Sequence, residues 1–259
     1  MFMQDPIILI TNDDGITAPG IRNLIEAAKG LGTLYVVAPD KPQSGMGHAI
    51  TIHSTLRLQK FDSIENVVEY ACSGTPVDCV KIAIDKLLPR KPDLIISGIN
   101  HGSNSSINII YSGTMSAAVE GCIEGIPSIG FSLSDFSLNA DFSGAKEYAR
   151  KICKEVLENK LPDGVCLNVN FPKLPKEELK GIKICRQAKA LWQEEFDERT
   201  DPSGKPYYWL TGKFINLDEG TDTDEHALAN GYVSIVPVEI DFTAYHAMDY
   251  LKNNFKFQN

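Results

Sequence analysis

The sequence predicts an α/β fold: an open, doubly wound, mostly parallel sheet with a β-rich C-terminal extension. Three observations predict it. Short apolar, β-branched runs recur without polar alternation, as in strands covered on both faces. Segments with apolar residues at helical spacing lie between them, an order that dictates right-handed crossovers into a parallel sheet. Past Phe171-Pro172 the helical pattern fades, and turn residues flanked by aromatics take over.

In chain order, Ile7-Ile8-Leu9-Ile10 is the first buried strand, and residues 20–29 place Ile21, Leu24, Ile25 and Ala28 on one helical face. Residues 34–38 form a second short strand. Residues 49–71 read as an antiparallel excursion, with alternation at Thr51, His53 and Leu56. Residues 76–88 are helical, with Thr75-Pro76 supplying the cap and first turn. A strand over 94–97, an alanine-rich helix over 114–124 and a strand over 127–131 follow. A charged helix over 141–159 leads to a strand over 165–170. Residues 182–186, then Asp201-Pro202-Ser203-Gly204 and Tyr207-Tyr208-Trp209-Leu210, predict a hairpin or arm. A late strand over 232–237 and a short helix over 245–253 close the pattern. The expected division is a Rossmann-like α/β core over residues 1–171 and a C-terminal extension with the hairpin arm over 172–259.

Composition narrows the function classes. The 259 residues suit one large α/β domain or a domain with an appendage, and 43% hydrophobic with 23% charged residues is ordinary for a soluble globular chain. No window has the apolar length to cross a bilayer, and Met1-Phe2-Met3-Gln4-Asp5-Pro6 lacks the layout of a secretory leader. Six cysteines (72, 79, 122, 153, 166, 185) form no C-x-x-C pair, which argues against zinc; they read as reduced and buried in a cytoplasmic protein. A net charge of −9 argues against a nucleic-acid polymer as partner. Small anionic substrates stay admissible, because a bound metal reverses the field of an acidic site.

Ligands of open parallel sheets sit at the carboxyl ends of the strands, so the residues after each apolar run carry the chemistry. Those stretches are Thr11-Asn12-Asp13-Asp14-Gly15, then Pro39 through Ser44-Gly45-Met46-Gly47-His48, then Gly98-Ile99-Asn100-His101-Gly102. Asp13 and Asp14, swung together by the turn at Gly15, suit a hard divalent ion, while an Asx-type turn is the structural alternative. Ser44 and Asn100 offer neutral oxygen ligands that keep such a site from becoming over-anionic. Ser112-Gly113-Thr114 opens a helix, where free N–H groups and hydroxyls make an anion site or, more simply, a cap. Gly74-Thr75-Pro76 is a second helix start, better explained as structure. His48 and His101 lie in the site loops, placed to contact a phosphate or protonate a leaving group.

These residues resemble the SurE family over nearly the whole chain. The resemblance rests on Ile10-Thr11-Asn12-Asp13-Asp14-Gly15 with Ala18-Pro19-Gly20, Ala38-Pro39-Asp40 with Gln43-Ser44-Gly45, Gly74-Thr75-Pro76-Val77-Asp78-Cys79-Val80, Ser97-Gly98-Ile99-Asn100 and Tyr111-Ser112-Gly113-Thr114. It continues in Leu167-Asn168-Val169-Asn170, Asp201-Pro202 through Trp209, Thr221-Asp222 and Gly231-Tyr232-Val233-Ser234. It implies a Rossmann-like core and 5′/3′-nucleotidase activity on nucleoside monophosphates, with short polyphosphate as a further substrate. It implies one divalent ion per subunit, Mg²⁺ or Mn²⁺, on Asp13, Asp14, Ser44 and Asn100. Phosphate then falls to Asn12, Gly45, Asn100, Ser112, Gly113 and Thr114. It also implies a homodimer or homotetramer built through the hairpin and a swapped C-terminal element. The stretch Ser105-Ser106-Ile107-Asn108 departs from the glycine and acidic residues found in many members.

The mechanism expected from this set is in-line attack by metal-activated water, with Asp13 or Asp14 accepting its proton. An aspartyl-phosphate route needs two acids two positions apart, and position 15 is Gly15. A purely nucleotide-binding module lacks its G-x-G-x-x-G fingerprint, because Gly15, Gly20 and Gly30 do not fit that spacing.

Overall fold

The computed structural model describes residues 5–137 and 139–256. Of the N-terminal stretch read for a leader, residues 1–4 lie outside them.

The first apolar run forms β1 (Ile7–Thr11), buried along its length. It is followed by α1 (Pro19–Ala28), β2 (Thr33–Pro39), β3 (Leu58–Lys60), β4 (Val68–Cys72) and α2 (Pro76–Ile82). Then come β5 (Leu94–His101), α3 (Gly113–Ile123), β6 (Ser128–Leu133), α4 (Ser143–Asn159) and β7 (Val165–Phe171). The remaining elements are β8 (Ile182–Ile184), β9 (Ala190–Thr200), β10 (Pro206–Asn216), α5 (Asp224–Ala229), β11 (Val233–Glu239) and α6 (Tyr245–Asn254).

The main sheet runs β3-β4-β2-β1-β5-β6-β7-β11-β8. It is parallel from β4 through β7, with antiparallel pairs at β3/β4 and β7/β11 and a parallel β11/β8 pair at the far edge. Thus β8 and β11, both from the stretch after residue 172, extend the same sheet. Successive side chains of a strand face opposite layers. On β1, Ile8 and Ile10 pack with Ile21, Leu24 and Ile25 of α1 and with Ile152 and Val156 of α4, whereas Leu9 faces Cys79 and Val80 of α2. Each such side chain contributes about 1.5–3 kcal/mol on burial. The result is the doubly wound α/β layer order, and its strand order reverses between β1 and β5, where ligands of such sheets bind.

Local chemistry explains the element ends. Thr75 caps α2 through a reciprocal pair: the Asp78 N–H donates to its Oγ1 (3.1 Å) and the Thr75 N–H to Asp78 Oδ2 (2.9 Å). Asp78 also accepts from the N–H and hydroxyl of Thr51 (3.0 and 2.6 Å), tying the chain after β2 to this cap.

The excursion read over residues 49–71 differs from expectation. Only β3 is antiparallel there; β4 pairs in parallel with β2, and residues 49–57 form no strand. Their alternation has no facing strand to pair with, and Thr51 is instead held by the α2 cap. Helix α5, six residues long, is too short to show a helical period in the sequence. The arm is a separate antiparallel pair, β9 with β10, in register from Ala190↔Asn216 to Thr200↔Pro206. It carries exposed Leu191, Phe196, Tyr208, Trp209 and Leu210.

Candidate active site

The loops after β1, β2 and β5 meet at the strand-order reversal. Asn12, buried at the end of β1, donates from Nδ2 to the Gly15 carbonyl (2.9 Å), and Gly15 takes a φ of +100° that its lack of a Cβ permits. This tight turn presents Asp13 and Asp14 together. The neighbouring loop is tied on by two backbone bonds, Ile16 N–H to Pro39 O (2.9 Å) and Gln43 N–H to Asp13 O (2.8 Å). On β5, a register irregularity between Ser97 and Asn100 breaks the ladder with β6. Such bulges re-aim side chains. The Asn100 amide nitrogen donates to the carbonyls of Gly102 (2.9 Å) and His101 (3.3 Å), which leaves Oδ1 as its uncommitted acceptor.

Helix α3 abuts Asp13. The Thr114 hydroxyl donates to Asp13 Oδ1, and a Cβ added at Gly113 would lie 2.7 Å from Asp13 Cβ and 2.9 Å from Oδ2. Ser112 caps the helix, accepting from the Met115 N–H at 3.0 Å. The carboxylate therefore lies against the positive end of an eleven-residue helix. That field does not offset burial: Asp13 is only 4% exposed, and desolvation together with the Asp14 charge raises its pKa from 3.8 to about 6. Burial likewise raises Asp14, opposed by the His101 N–H (3.2 Å) and by the His101 ring, whose Nδ1 is 3.6 Å away.

Two adjacent acids held in a partly dry site, with no Lys or Arg paired to either among the described residues, form a negative centre that His101 and the start of α3 only partly offset. Asn12 Oδ1 is buried there without a hydrogen-bond partner. Among the described residues no group of three His, Cys, Asp or Glu side chains forms a metal cage. The donor set is two carboxylates with neutral oxygens, and it fits a hard, oxygen-seeking divalent cation.

The structure thus joins Asp13, Asp14, Asn12, Asn100, Gly113 and Thr114, with Ser112 in the adjoining cap. Ser44 is attached less directly. It is exposed, one residue beyond the Gln43–Asp13 bond, and no hydrogen bond joins it to the carboxylates among the described residues. Gly45, with φ +73°, faces open space. His48 is engaged elsewhere: its Nε2 lies 2.9 Å from Oε2 of Glu120, a buried residue of α3.

A buried polar network behind the site was not foreseen. Asn170 Oδ1 accepts from the Asn104 N–H (2.8 Å), Asn168 Nδ2 donates to Asn104 O (2.8 Å), and Asn104 Nδ2 donates to Ser132 Oγ (2.8 Å). Asp224, fully buried, accepts from the N–H groups of Ser106 (2.7 Å) and Ala188 (2.9 Å). Asn108 accepts from the Trp192 indole (2.8 Å). The divergent stretch Ser105-Ser106-Ile107-Asn108 therefore seats the approach to the start of α3 on the base of the arm. One signal was available: Asn168 and Asn170 occupy alternate positions of an otherwise apolar strand, where buried polar groups need partners.

Comparison with known proteins agrees with this fold. The family model described as "Survival protein SurE" matches residues 8–194. A Flavobacterium psychrophilum protein named 5′-nucleotidase SurE is 66% identical over 97% of this chain and 98% of its own. A namesake from Bacteroides fragilis is 49% identical over 96% of this chain and 97% of its own. The crystal structure of the SurE protein from Aquifex aeolicus superposes with a TM-score of 0.83 at 42% identity, covering 96% of this chain and 99% of that one. Matched by the family model over most of its length and by full-length relatives at up to 66% identity, the chain belongs to the SurE family.

Proposed function

We propose that this protein is a divalent-metal-dependent phosphomonoesterase. It hydrolyses nucleoside 5′- and 3′-monophosphates to nucleoside and phosphate, and short polyphosphate as well. One observation carries the reading: Asp13, a cation ligand by chemistry, is in van der Waals contact with the first turn of α3, an anion site by chemistry. A phosphoryl group bridging the two meets charge of the required sign on each side. The relatives named 5′-nucleotidase support the substrate class.

In this reading Asp13, Asp14, Asn100 and Ser44 hold one Mg²⁺ or Mn²⁺ per subunit, which when bound polarises the phosphoryl oxygens and makes water a stronger nucleophile. Thr114 and the N–H groups at Gly113 and Thr114 hold phosphate oxygens in line, with Ser112, Gly45 and Asn12 completing the cradle. Asp14, less buried than Asp13, accepts the proton of the attacking water, and His101 beside it steadies the carboxylate.

Residues 1–171 carry this site and residues 172–259 the assembly surface. The exposed apolar side chains of the arm and of α6 (Tyr245, Met248, Leu251) support a homodimer or homotetramer. Six free, buried cysteines support a cytoplasmic setting, and among the described residues no helix is long and apolar enough to cross a membrane. The test is phosphate release from nucleoside 5′- and 3′-monophosphates and tripolyphosphate with Mg²⁺, Mn²⁺ or chelator. Metal-dependent release from the nucleotides is expected; release that persists in chelator refutes the reading.

A further inference from the structure

We propose that the His48–Glu120 contact is a latch that holds the Ser44-Gly45-Met46-Gly47 strap against α3, so that His48 positions this loop rather than handling a proton. The inference rests on the active-site assignment above only for its catalytic consequence; the latch itself stands on geometry.

The strap is fastened at its two ends and free between them. At its start, the Gln43 N–H is bonded to Asp13 O (2.8 Å), and the Met46 N–H closes a loose turn on Gln43 O (3.4 Å). At its end, Thr75 Oγ1 donates to Ala49 O (2.7 Å), and Thr51 is held by Asp78. In between, Ser44, Gly45 and Met46 are exposed, and two glycines with positive φ, Gly45 and Gly47, give the backbone little stiffness. Gly47 passes close over the segment before α3, where a Cβ would lie 3.3 Å from Ile110 O.

His48 is the strap's one side-chain bond to α3 among the described residues. Its partner Glu120 is 3% exposed and is also met by Lys81 from α2, with Nζ 2.5 Å from Oε1. A carboxyl group buried this deeply is costly unless hydrogen-bond partners face it. The helix therefore has its own reason to hold His48, and the strap is held with it. Glu120 lies two helical turns from Gly113 on the same helix, so the latch fixes the strap relative to the turn that binds phosphate.

The test uses the full-length metal-free protein and two readouts. Subtilisin nicking between residues 43 and 49 reports strap opening, because exposed mobile loops are nicked first. Calorimetric titration with Mn²⁺ reports the ligand geometry. His48→Ala is expected to speed nicking and to weaken Mn²⁺ binding, each by about tenfold, the effect of losing one charge-assisted hydrogen bond. His48→Gln, which still donates to Glu120, is expected to restore most of both. Glu120→Gln attacks the contact from the other side and is expected to fall between them. Wild-type nicking and Mn²⁺ affinity in His48→Ala overturn the latch. So does a His48→Gln protein that binds Mn²⁺ normally yet loses one limb of the kcat–pH profile, the mark of a proton-transfer role. Failure of the wild type to release phosphate sinks the proposed activity instead, while nicking still decides the latch.

Discussion

Replacing Asp13 with Asn should stabilise the metal-free protein while disabling it. Burial and the Asp14 charge raise the Asp13 pKa from 3.8 to about 6. The folded state therefore holds its proton more tightly than the unfolded state does. At pH above about 6 the carboxylate is ionised in both states and its desolvation weighs fully against folding; as pH falls toward the unfolded value the penalty disappears. A shift of about two pKa units corresponds to about 3 kcal/mol. Asn keeps an acceptor for the Thr114 hydroxyl but brings an N–H₂ that needs a partner, so the net gain is put at about 1–2 kcal/mol. For a chain of this size that raises Tm by about 2–8 °C. The assay is urea denaturation of both proteins in chelator at about pH 8 and about pH 4.5, read as a difference so that titrating groups distant from Asp13 cancel and the Asp13–Asp14 repulsion is retained. Asp13→Asn should be the more stable at the higher pH, with the gap closing at the lower. With saturating Mn²⁺ the order should reverse, since ligand binding stabilises only the protein that binds it, and kcat should fall more than tenfold, on the order of a lost charged ligand. A variant less stable than wild type at the higher pH, or a gap independent of pH, refutes the electrostatic account.

Two further outcomes follow from contacts around the same turn. Gly113→Ala should weaken Mn²⁺ binding by at least about tenfold with little loss of helix content by circular dichroism, because its Cβ would fall 2.7 Å from Asp13 Cβ and push the carboxylate aside; unchanged affinity speaks against the close packing of α3 on the acid. Glu69, fully buried, accepts from Arg22, from Ser63 N–H (3.0 Å) and from Ile64 N–H (3.0 Å), while Arg22 Nε donates to Ile16 O (2.8 Å), just past the turn that presents Asp13 and Asp14. Glu69→Ala should cost about 3 kcal/mol in urea denaturation and Glu69→Gln clearly less; equal losses would show that the ionic character of the pair is immaterial.

Much of the fold was legible because its signals are local. Unbroken apolar runs such as Ile7-Ile8-Leu9-Ile10 and helical spacing such as Ile21, Leu24, Ile25 and Ala28 depend on neighbours within a few residues, and both became the elements they predict. The placement of Asp13 and Asp14 was legible for a related reason: strand polarity alone puts residues after a parallel strand at the ligand edge. The short α5 and the unpaired residues 49–57 were not, because too few residues repeat to set a period.

The sequence by itself determined the layer order and which residues lie at the strand ends, the edge where ligands of such sheets bind. Only the tertiary structure decided how those residues are held: that Gly113 leaves room for Asp13, that His48 faces Glu120 seventy-two positions away, and that Asn104 is seated by Asn170 sixty-six positions away. Such pairs carry no local signature. Each side chain is compatible with many partners, and the choice among them is made when burial removes water and every polar group must find a neighbour within hydrogen-bond reach.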